Sequence, residues 1–416
     1  MTKSISTYMF SVGFVLLLPL MCMQKKATTP SEGAHESSTS NTAPVVGQPS
    51  TNAPIETPKN EPPVTKQTND ALAAGNLPKN WPWRGVSFQS INSDTNDISY
   101  LAGIGVNFVR IEVKPSIRAK KTNTPPVKSF YDELAWAERI LNACKKNGMT
   151  AIIAFNFLVL DPNSEVNDKS AEFWAKKSYQ DSTFRMVEII ANKFKNRGDE
   201  LTGYEVIGEP AVKSPSGARV PPGIEAFYQN ALNSIRKYDK ERWFLLSPGP
   251  WGKPSNYKGF KPYKIKDKHL MYGAHMYLPD EFTHQGVRKR EKNVTYPGKI
   301  KGENWNIDVI ENRLSLIKKF ETEYGYPIYI GEYQAARWSP GADLWVKDVC
   351  KTLEKLNFSW SLFAYKAGTE CWDPFYEVED KSLPVEKWTI KNVGPTTPLW
   401  QYMISIYSKN LKTKKE

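Results

Sequence analysis

Cysteine is scarce in this sequence of 416 residues, which contains only four. Cys144, Cys350 and Cys371 stand far apart and lack the short spacing of cysteine motifs that bind metals. This scarcity argues against a cysteine-based metal centre. Secreted proteins form disulfides, so a Cys350–Cys371 bridge and buried free thiols both stay open.

Long apolar runs are also missing, except at the N-terminus. The apolar run over residues 8–21 is shorter than the roughly 20 residues that a membrane-spanning helix needs. It has the layout of a secretory signal, and Cys22 follows it where a bacterial lipoprotein carries its lipidated cysteine. Lipidation at Cys22, ordinary signal cleavage and an uncleaved anchor stay open for residues 1–22. Each predicts a secreted, outer-surface or periplasmic protein.

Aromatic residues are absent from residues 24–80, where Ser, Thr, Pro, Asn and Ala dominate. Such a segment cannot bury enough apolar surface to offset the entropy lost on ordering. The sequence therefore predicts a disordered linker over residues 23–80. All 13 Trp lie from Trp81 onward, so we expect the folded domain at residues 81–410, followed by a basic tail at 411–416.

Recognised nucleic-acid-binding motifs are absent too, although the formal net charge is +12. The Lys and Arg residues are scattered along the chain rather than clustered. A solvated basic surface and a surface that favours acidic glycans both stay open. We expect a monomer with no nucleic-acid partner, and membrane contact only through a lipid at Cys22.

After Trp81 the sequence alternates β-rich runs with longer amphipathic segments. One of these segments, from Phe130 to Lys146, has helical spacing of its apolar residues. Such alternation predicts a parallel sheet, and eight β-rich runs predict a closed (β/α)8 barrel of the α/β class. In order, the runs are RGVSFQSI, VNFVRIEV, MTAIIAFNFLVL, LTGYEVIGEP, RWFLLSPG, LMYGAHMYLP, PIYIGEY and FSWSLFAYKAG.

Two glutamates end β-rich runs in the same way. Glu209 ends the fourth run, between Gly208 and Pro210, and Glu332 ends the seventh. The carboxyl ends of barrel strands meet at one rim, so we expect the two side chains close together there. Two carboxylates that flank one bond carry out glycoside hydrolysis. We expect Gly208 to leave room beside Glu209, and Pro210 to end the strand.

Other polar residues occupy neighbouring strand ends. Arg110, in the second run, could keep a nearby carboxylate ionised. His275 and Tyr277 are two residues apart in the sixth run, so both face the same way. Asn156, in the third run, could hydrogen-bond a sugar hydroxyl. A structural ion pair for Arg110 and a core position for His275 are the alternatives.

Aromatic residues in the eighth run could stack on the apolar face of a sugar ring. Trp360 and Phe363 are the candidates for this role. Ordinary core packing is the alternative for Trp360.

In their order and spacing, these motifs resemble glycoside hydrolase family 5, the cellulase family of clan A. RGVSFQS, NFVRIEV, YEVIGEP, HMYLPDEFTHQG and PIYIGEY resemble its strands one, two, four, six and seven, and the similarity spans Trp81 to about Tyr407. The resemblance implies that Glu209 is the acid/base and Glu332 the nucleophile of a retaining enzyme. It also implies hydrogen bonds from Arg110 and Tyr277 to Glu332, and His275 beside the acid/base. No metal or organic cofactor is implied.

Three positions depart from the family pattern. Gly208 replaces an Asn that binds the substrate 2-hydroxyl, Asn156 replaces a His, and Phe363 replaces the strand-eight Trp. The leading hypothesis is a retaining endo-β-glycosidase for a β-glucan (cellulose-like) or mannan-like polysaccharide. A glycan-binding protein on a catalytically weakened barrel is the alternative, and an inert structural lipoprotein is the third.

Overall fold

The computed structural model describes Ala71 and residues 75–90, 93–156, 166–214, 217–287, 290, 292–366 and 370–412. Cys22, the signal segment and most of the predicted linker lie outside these residues, so lipidation, signal cleavage and secretion stay predictions. Within the described residues, none of the helices combines the length and the apolar character needed to cross a bilayer.

Eight parallel strands form a closed barrel in which each strand pairs with its neighbours in chain order and the last pairs with the first. The predicted (β/α)8 barrel and its eight strands are thus confirmed. The strands are β1 (Arg84–Gln89), β2 (Phe108–Val113), β3 (Thr150–Phe155), β4 (Leu201–Val206), β5 (Trp243–Leu246), β6 (Leu270–Met276), β7 (Ile328–Tyr333) and β8 (Ser359–Leu362).

Helices surround the barrel, and the predicted helix that contains Phe130–Lys146 is present. Three short hairpins extend the loops, at residues 212–219, 298–305 and 376–392. The helices are α1 (Thr95–Gly103), α2 (Pro115–Thr122), α3 (Pro126–Lys146), α4 (Ala171–Ala175), α5 (Lys177–Phe194), α6 (Ile224–Arg236), α7 (Asp280–Thr283), α8 (Ile307–Tyr324), α9 (Ala342–Lys355), α10 (Pro398–Tyr407) and α11 (Lys409–Lys412).

The barrel interior changes from apolar to charged along its axis. At the amino ends of the strands, Trp83 stacks on Phe108 with ring centroids 4.1 Å apart, and Tyr329 meets both rings edge-on. Side chains two residues apart on a strand share a face, so Phe108, Arg110 and Glu112 follow one another up the interior. The apolar end closes the barrel, and the charged end supports the candidate site.

The three cysteines after Trp81 are buried. Cys350 is a free thiol, so the Cys350–Cys371 bridge left open by the sequence is not formed. Burial raises the pKa of the Cys350 thiol to about 12. A thiol with so high a pKa is nearly all protonated at neutral pH and is a poor nucleophile.

Candidate active site

The carboxyl ends of the strands open into a cleft with a volume of about 590 Å³. This volume lies within the range of roughly 300–1,000 Å³ that is usual for small-molecule sites. Seven of the residues predicted from the sequence line the cleft: Arg110, Asn156, Glu209, His275, Tyr277, Glu332 and Phe363.

Glu209 follows a tightly fixed turn at the end of β4. Ile207 has a φ of +58°, which is rare for a β-branched residue and is found where surrounding contacts enforce it. Its amide donates to the carbonyl of Phe155 at 3.1 Å, and its carbonyl accepts from the hydroxyl of Tyr228 at 3.0 Å. The turn brings Glu209 to the cleft with its side chain 30% exposed.

The orientation of the Glu332 side chain depends on a register shift in β7. Ile330 pairs with Ala274 of β6, but Glu332 pairs with His275, so β7 has one extra residue at Gly331. Such irregularities re-aim side chains near active sites. The shift sets Glu332 opposite His275, and the Glu332 side chain is only 12% exposed.

Arg110 is fully buried and binds three carboxylates. It donates to both oxygens of Glu205 at 2.6 and 2.9 Å, to Glu112 at 2.6 Å and to Oε1 of Glu332 at 2.8 Å. Charge-assisted bonds of this kind fix geometry as well as charge. Burial raises the pKa of Glu112, but the charges of Lys114 and Arg110 outweigh this effect and lower the pKa overall.

Two further groups complete the contacts of the glutamates. The hydroxyl of Tyr277 donates to Oε2 of Glu332 at 3.0 Å. Nδ1 of His275 lies 3.0 Å from Oε1 of Glu209 and 3.8 Å from Oε2 of Glu332. One oxygen of each glutamate and one nitrogen of His275 lie within 4.8 Å of one another. This set has the ligand types of a divalent-cation site, but Arg110 and Tyr277 already bind both oxygens of Glu332.

The surroundings push the pKa values of the two glutamates apart. Burial raises the pKa of Glu209, but the hydrogen bond and charge of His275, with the charge of Lys169, lower it to about 2. Burial raises the pKa of Glu332, and the charges of His275 and Arg110 only partly oppose that rise. Burial lowers the pKa of His275, but both glutamates outweigh it and raise the pKa overall. The two glutamates thus favour the protonated form of His275, whose ring lies beside Glu209.

Glu205 explains why residue 208 is glycine. A Cβ atom on residue 208 would lie 1.8 Å from Oε1 of Glu205 and 3.4 Å from Nη2 of Arg110. The Glu205 carboxylate therefore fills the space in which an asparagine side chain would begin. This corrects our expectation that Gly208 leaves room for Glu209, since it makes room for Glu205. The amide of Gly208 donates to Oδ1 of Asn156 at 3.2 Å, so Asn156 holds the backbone beside Glu209.

Replacing Gly208 with alanine should lower the free energy of unfolding by about 1–3 kcal/mol, because the added methyl group overpacks a buried site. The neighbouring Glu205 carboxylate is buried and bound at both oxygens, so it cannot swing away. Urea unfolding measures the change. Gly103→Ala is the matched control, since its Cβ would meet no atom within 4 Å. Equal stability of the two variants would contradict the assigned role of Glu205.

The structure does not bring Trp360 to the cleft. Its ring is fully buried and packs against Tyr333 and Tyr407 at 5.8 and 5.5 Å, and its Nε1 donates to Glu354 at 3.1 Å. Side chains alternate along β8, so Trp360 faces the helices while Ser361 faces the barrel interior. Its position corresponds to the core-packing alternative.

Among the cleft residues that were not candidates from sequence, three carry aromatic rings: Trp251, His284 and Trp372. Trp251 follows β5 in a Gly- and Pro-rich loop, and its amide donates to the carbonyl of Pro210 at 3.3 Å. Trp372 lies 6.1 Å from the ring of Phe363 and 5.3 Å from that of His284. An aromatic residue in the loop that follows a strand was the available signal for Trp251. Trp372 lies ten residues past β8, so the strand pattern gave no signal for it.

Comparisons with known proteins identify the family of the chain. The model of the cellulase family (glycosyl hydrolase family 5) matches residues 72–368, more than half of the chain. "Endoglucanase C" of Acetivibrio thermocellus is 25% identical over 217 residues, which are 50% of this chain and 58% of that protein. The chain thus spans less than two thirds of the length of this relative.

Solved structures share the fold. One described as "endoglucanase" superimposes with a TM-score of 0.59 at 19% identity, over 80% of this chain and 99% of the other. Thermotoga maritima Cel5A in complex with mannotriose superimposes with a TM-score of 0.54 at 20% identity, over 71% of this chain and 92% of the other. The family match over most of the barrel shows that the chain belongs to glycosyl hydrolase family 5, the cellulase family.

Proposed function

We propose that the protein is a retaining endo-β-glycosidase that cleaves a β-linked polysaccharide by double displacement. The proximity of Glu209 and Glu332 carries this proposal, since one oxygen of each lies within 4.8 Å of the other. Retaining enzymes place their carboxyl groups about 5–5.5 Å apart, and inverting enzymes about 6.5–9.5 Å apart. This proximity favours the retaining arrangement, in which one carboxylate attacks the sugar directly.

In the first step, a carboxylate oxygen of Glu332 attacks the anomeric carbon. The bond from that carbon to the glycosidic oxygen breaks, and the oxygen takes a proton from Glu209. In the second step, Glu209 removes a proton from water, whose oxygen displaces Glu332 from the anomeric carbon. Arg110 and Tyr277 hold the attacking carboxylate in one orientation through both steps.

Glu209 must gain a proton before the first step, because its pKa is about 2 in the unliganded protein. His275 is the nearest source, with Nδ1 3.0 Å from Glu209. A sugar in the cleft removes water from Glu209, and this loss of solvent raises the pKa of a carboxyl group. Substrate binding thus favours transfer of the proton from His275 to Glu209.

The names of the relatives suggest two kinds of polysaccharide backbone for the substrate. An endoglucanase name accompanies the A. thermocellus relative, and mannotriose is the ligand of the T. maritima structure. We propose a β-glucan or a mannan, with Trp251, Phe363 and Trp372 as stacking surfaces. Secretion and a monomeric state remain part of the same proposal.

The test is release of reducing ends by the purified protein from β-1,4-glucan, β-1,3-glucan, mannan, xyloglucan and xylan. Proton NMR during the first minutes should show the β-anomer of the new reducing end before it equilibrates. Early appearance of the α-anomer would overturn retention. Glycan binding without release from any polymer would favour the alternative of a glycan-binding protein, which the absence of the family Asn at Gly208 motivates.

A further inference from the structure

Cationic side chains outnumber carboxylates in the wall of the cleft. The four carboxylates are Asp168, Glu209, Asp280 and Glu332, whereas the six cationic residues are Arg110, Lys114, Lys169, Lys213, Lys253 and Arg290. Glu112 and Glu205 lie beneath the cleft and bind Arg110, so they compensate part of this excess. The question is which of the cations has no carboxylate partner.

Most of these cations already have a carboxylate partner. Lys114 pairs with Glu112 at 2.7 Å, Lys169 with Asp168 at 3.1 Å, and Lys253 with Asp280. In the described part of the chain, no carboxylate lies within 4 Å of Lys213 or Arg290. The uncompensated charge of the cleft thus lies on these two residues.

Lys213 belongs to a cluster built on an aromatic ring. The ammonium nitrogens of Lys169 and Lys213 lie 5.5 and 5.9 Å from the ring centroid of Trp251, and we call these three residues the Lys–Trp cluster. Trp251 has a φ of +63°, a strained conformation for a bulky residue. Strain of this kind is concentrated where a side chain must hold one position for function.

The Lys–Trp cluster is joined directly to the loop of Glu209. The ammonium group of Lys169 donates to the carbonyl of Glu209, and the amide of Trp251 donates to the carbonyl of Pro210. Of the two ammonium groups beside this indole, only that of Lys169 has a carboxylate partner among the described residues. An anion beside Trp251 would pair with Lys213, while the ring would stack on the apolar face of the same sugar.

We propose that the substrate is an anionic β-glycan, and that the Lys–Trp cluster binds a carboxylate-bearing sugar on the Glu209 side of the cleft. This inference rests on the proposed glycosidase function and specifies its substrate class. The indole would position the ring of the sugar, and Lys213 would neutralise its carboxylate. A neutral glucan would gain nothing from Lys213.

Matched oligosaccharides test the proposal: gluco- and manno-oligosaccharides, each neutral or with its primary alcohols oxidised to carboxylates. Calorimetry on the purified protein should show at least about tenfold tighter binding of one oxidised member than of its neutral partner. The preference should shrink when salt rises from about 0.05 M to about 0.5 M, because salt screens exposed charges. Lys213→Gln should remove most of the preference.

Lys258→Gln is the control, because Lys258 is exposed and outside the cleft, with no carboxylate within 4 Å among the described residues. Equal binding of neutral and oxidised oligosaccharides would overturn the inference, as would equal effects of the two lysine variants. Cleavage of a neutral polymer without any charge preference would leave the glycosidase function standing and the inference refuted. Charge-selective binding without cleavage of any oligosaccharide would support the anionic ligand and refute the glycosidase function.

Discussion

Replacement of Glu332 with glutamine should lower kcat by at least about 10³-fold on every substrate, because the amide cannot form the glycosyl-enzyme. Glutamine keeps the volume of the side chain, and Arg110 keeps its bonds to Glu205 and Glu112. Binding of oligosaccharides should therefore persist. Release of reducing ends and hydrolysis of an aryl β-glycoside measure the loss.

Replacement of Glu209 with alanine should give a different pattern. Cleavage of a polysaccharide should fall by about 10²–10⁴-fold, because the departing sugar oxygen needs a proton. An aryl glycoside with an acidic phenol needs no such proton, so its glycosylation step should be almost unaffected. Added azide should restore turnover, since a small anion can replace the water that Glu209 activates.

The contrast between the two variants assigns the roles of the two glutamates. Glu321→Gln is the control, because Glu321 is a buried glutamate of α8 outside the cleft, and its change should leave kcat unaltered. The assignment would be reversed if the Glu332 variant, rather than the Glu209 variant, lost activity in a substrate-dependent way and was rescued by azide. Unchanged activity in both variants would contradict the two-glutamate mechanism.

The barrel and the placement of the two glutamates could be predicted because they depend on a repeated local pattern. Each β-rich run is bounded by helical segments or turn residues, and a closed parallel barrel puts all the carboxyl ends of its strands on one rim. Glu209 and Glu332 needed only this rule. The rule could not place Trp360, because its orientation depends on the exact register of β8.

The charges beneath the rim could not be predicted. Glu205 lies in a run that reads as an apolar strand, and nothing local indicates that it bonds to Arg110 from a different strand. The register shift at Gly331 could not be predicted either, because glycine within a strand permits a bulge without requiring one. Glycine is required at position 208 because the Glu205 carboxylate fills the space beside it. From the sequence alone, the same position showed only that the family asparagine is missing.

Replacement of Arg110 with methionine should lower the free energy of unfolding at pH 7 by about 3–5 kcal/mol, because removal of one partner leaves buried charges uncompensated. Arg110 binds Glu205, Glu112 and Glu332, and its side chain is fully buried. Urea unfolding measures the loss. Arg313→Met is the control, because Arg313 pairs with Glu303 in a half-exposed position where an ion pair contributes less than about 1 kcal/mol.

The stability loss in the Arg110 variant should shrink as the pH falls. In the native protein the pKa of Glu112 is lowered, so its contribution is present above the unfolded pKa and is lost as the pH falls through the folded pKa. Loss of Arg110 removes a charge that lowers the pKa of Glu112 and opposes the rise in the pKa of Glu332. Both pKa values should therefore rise, and the variant gains stability relative to the native protein as these groups take up protons. The two proteins should therefore converge between pH 7 and about pH 4. A constant difference over this range would mean that Arg110 does not favour the ionised form of Glu332, and the attacking carboxylate would need another source of charge compensation.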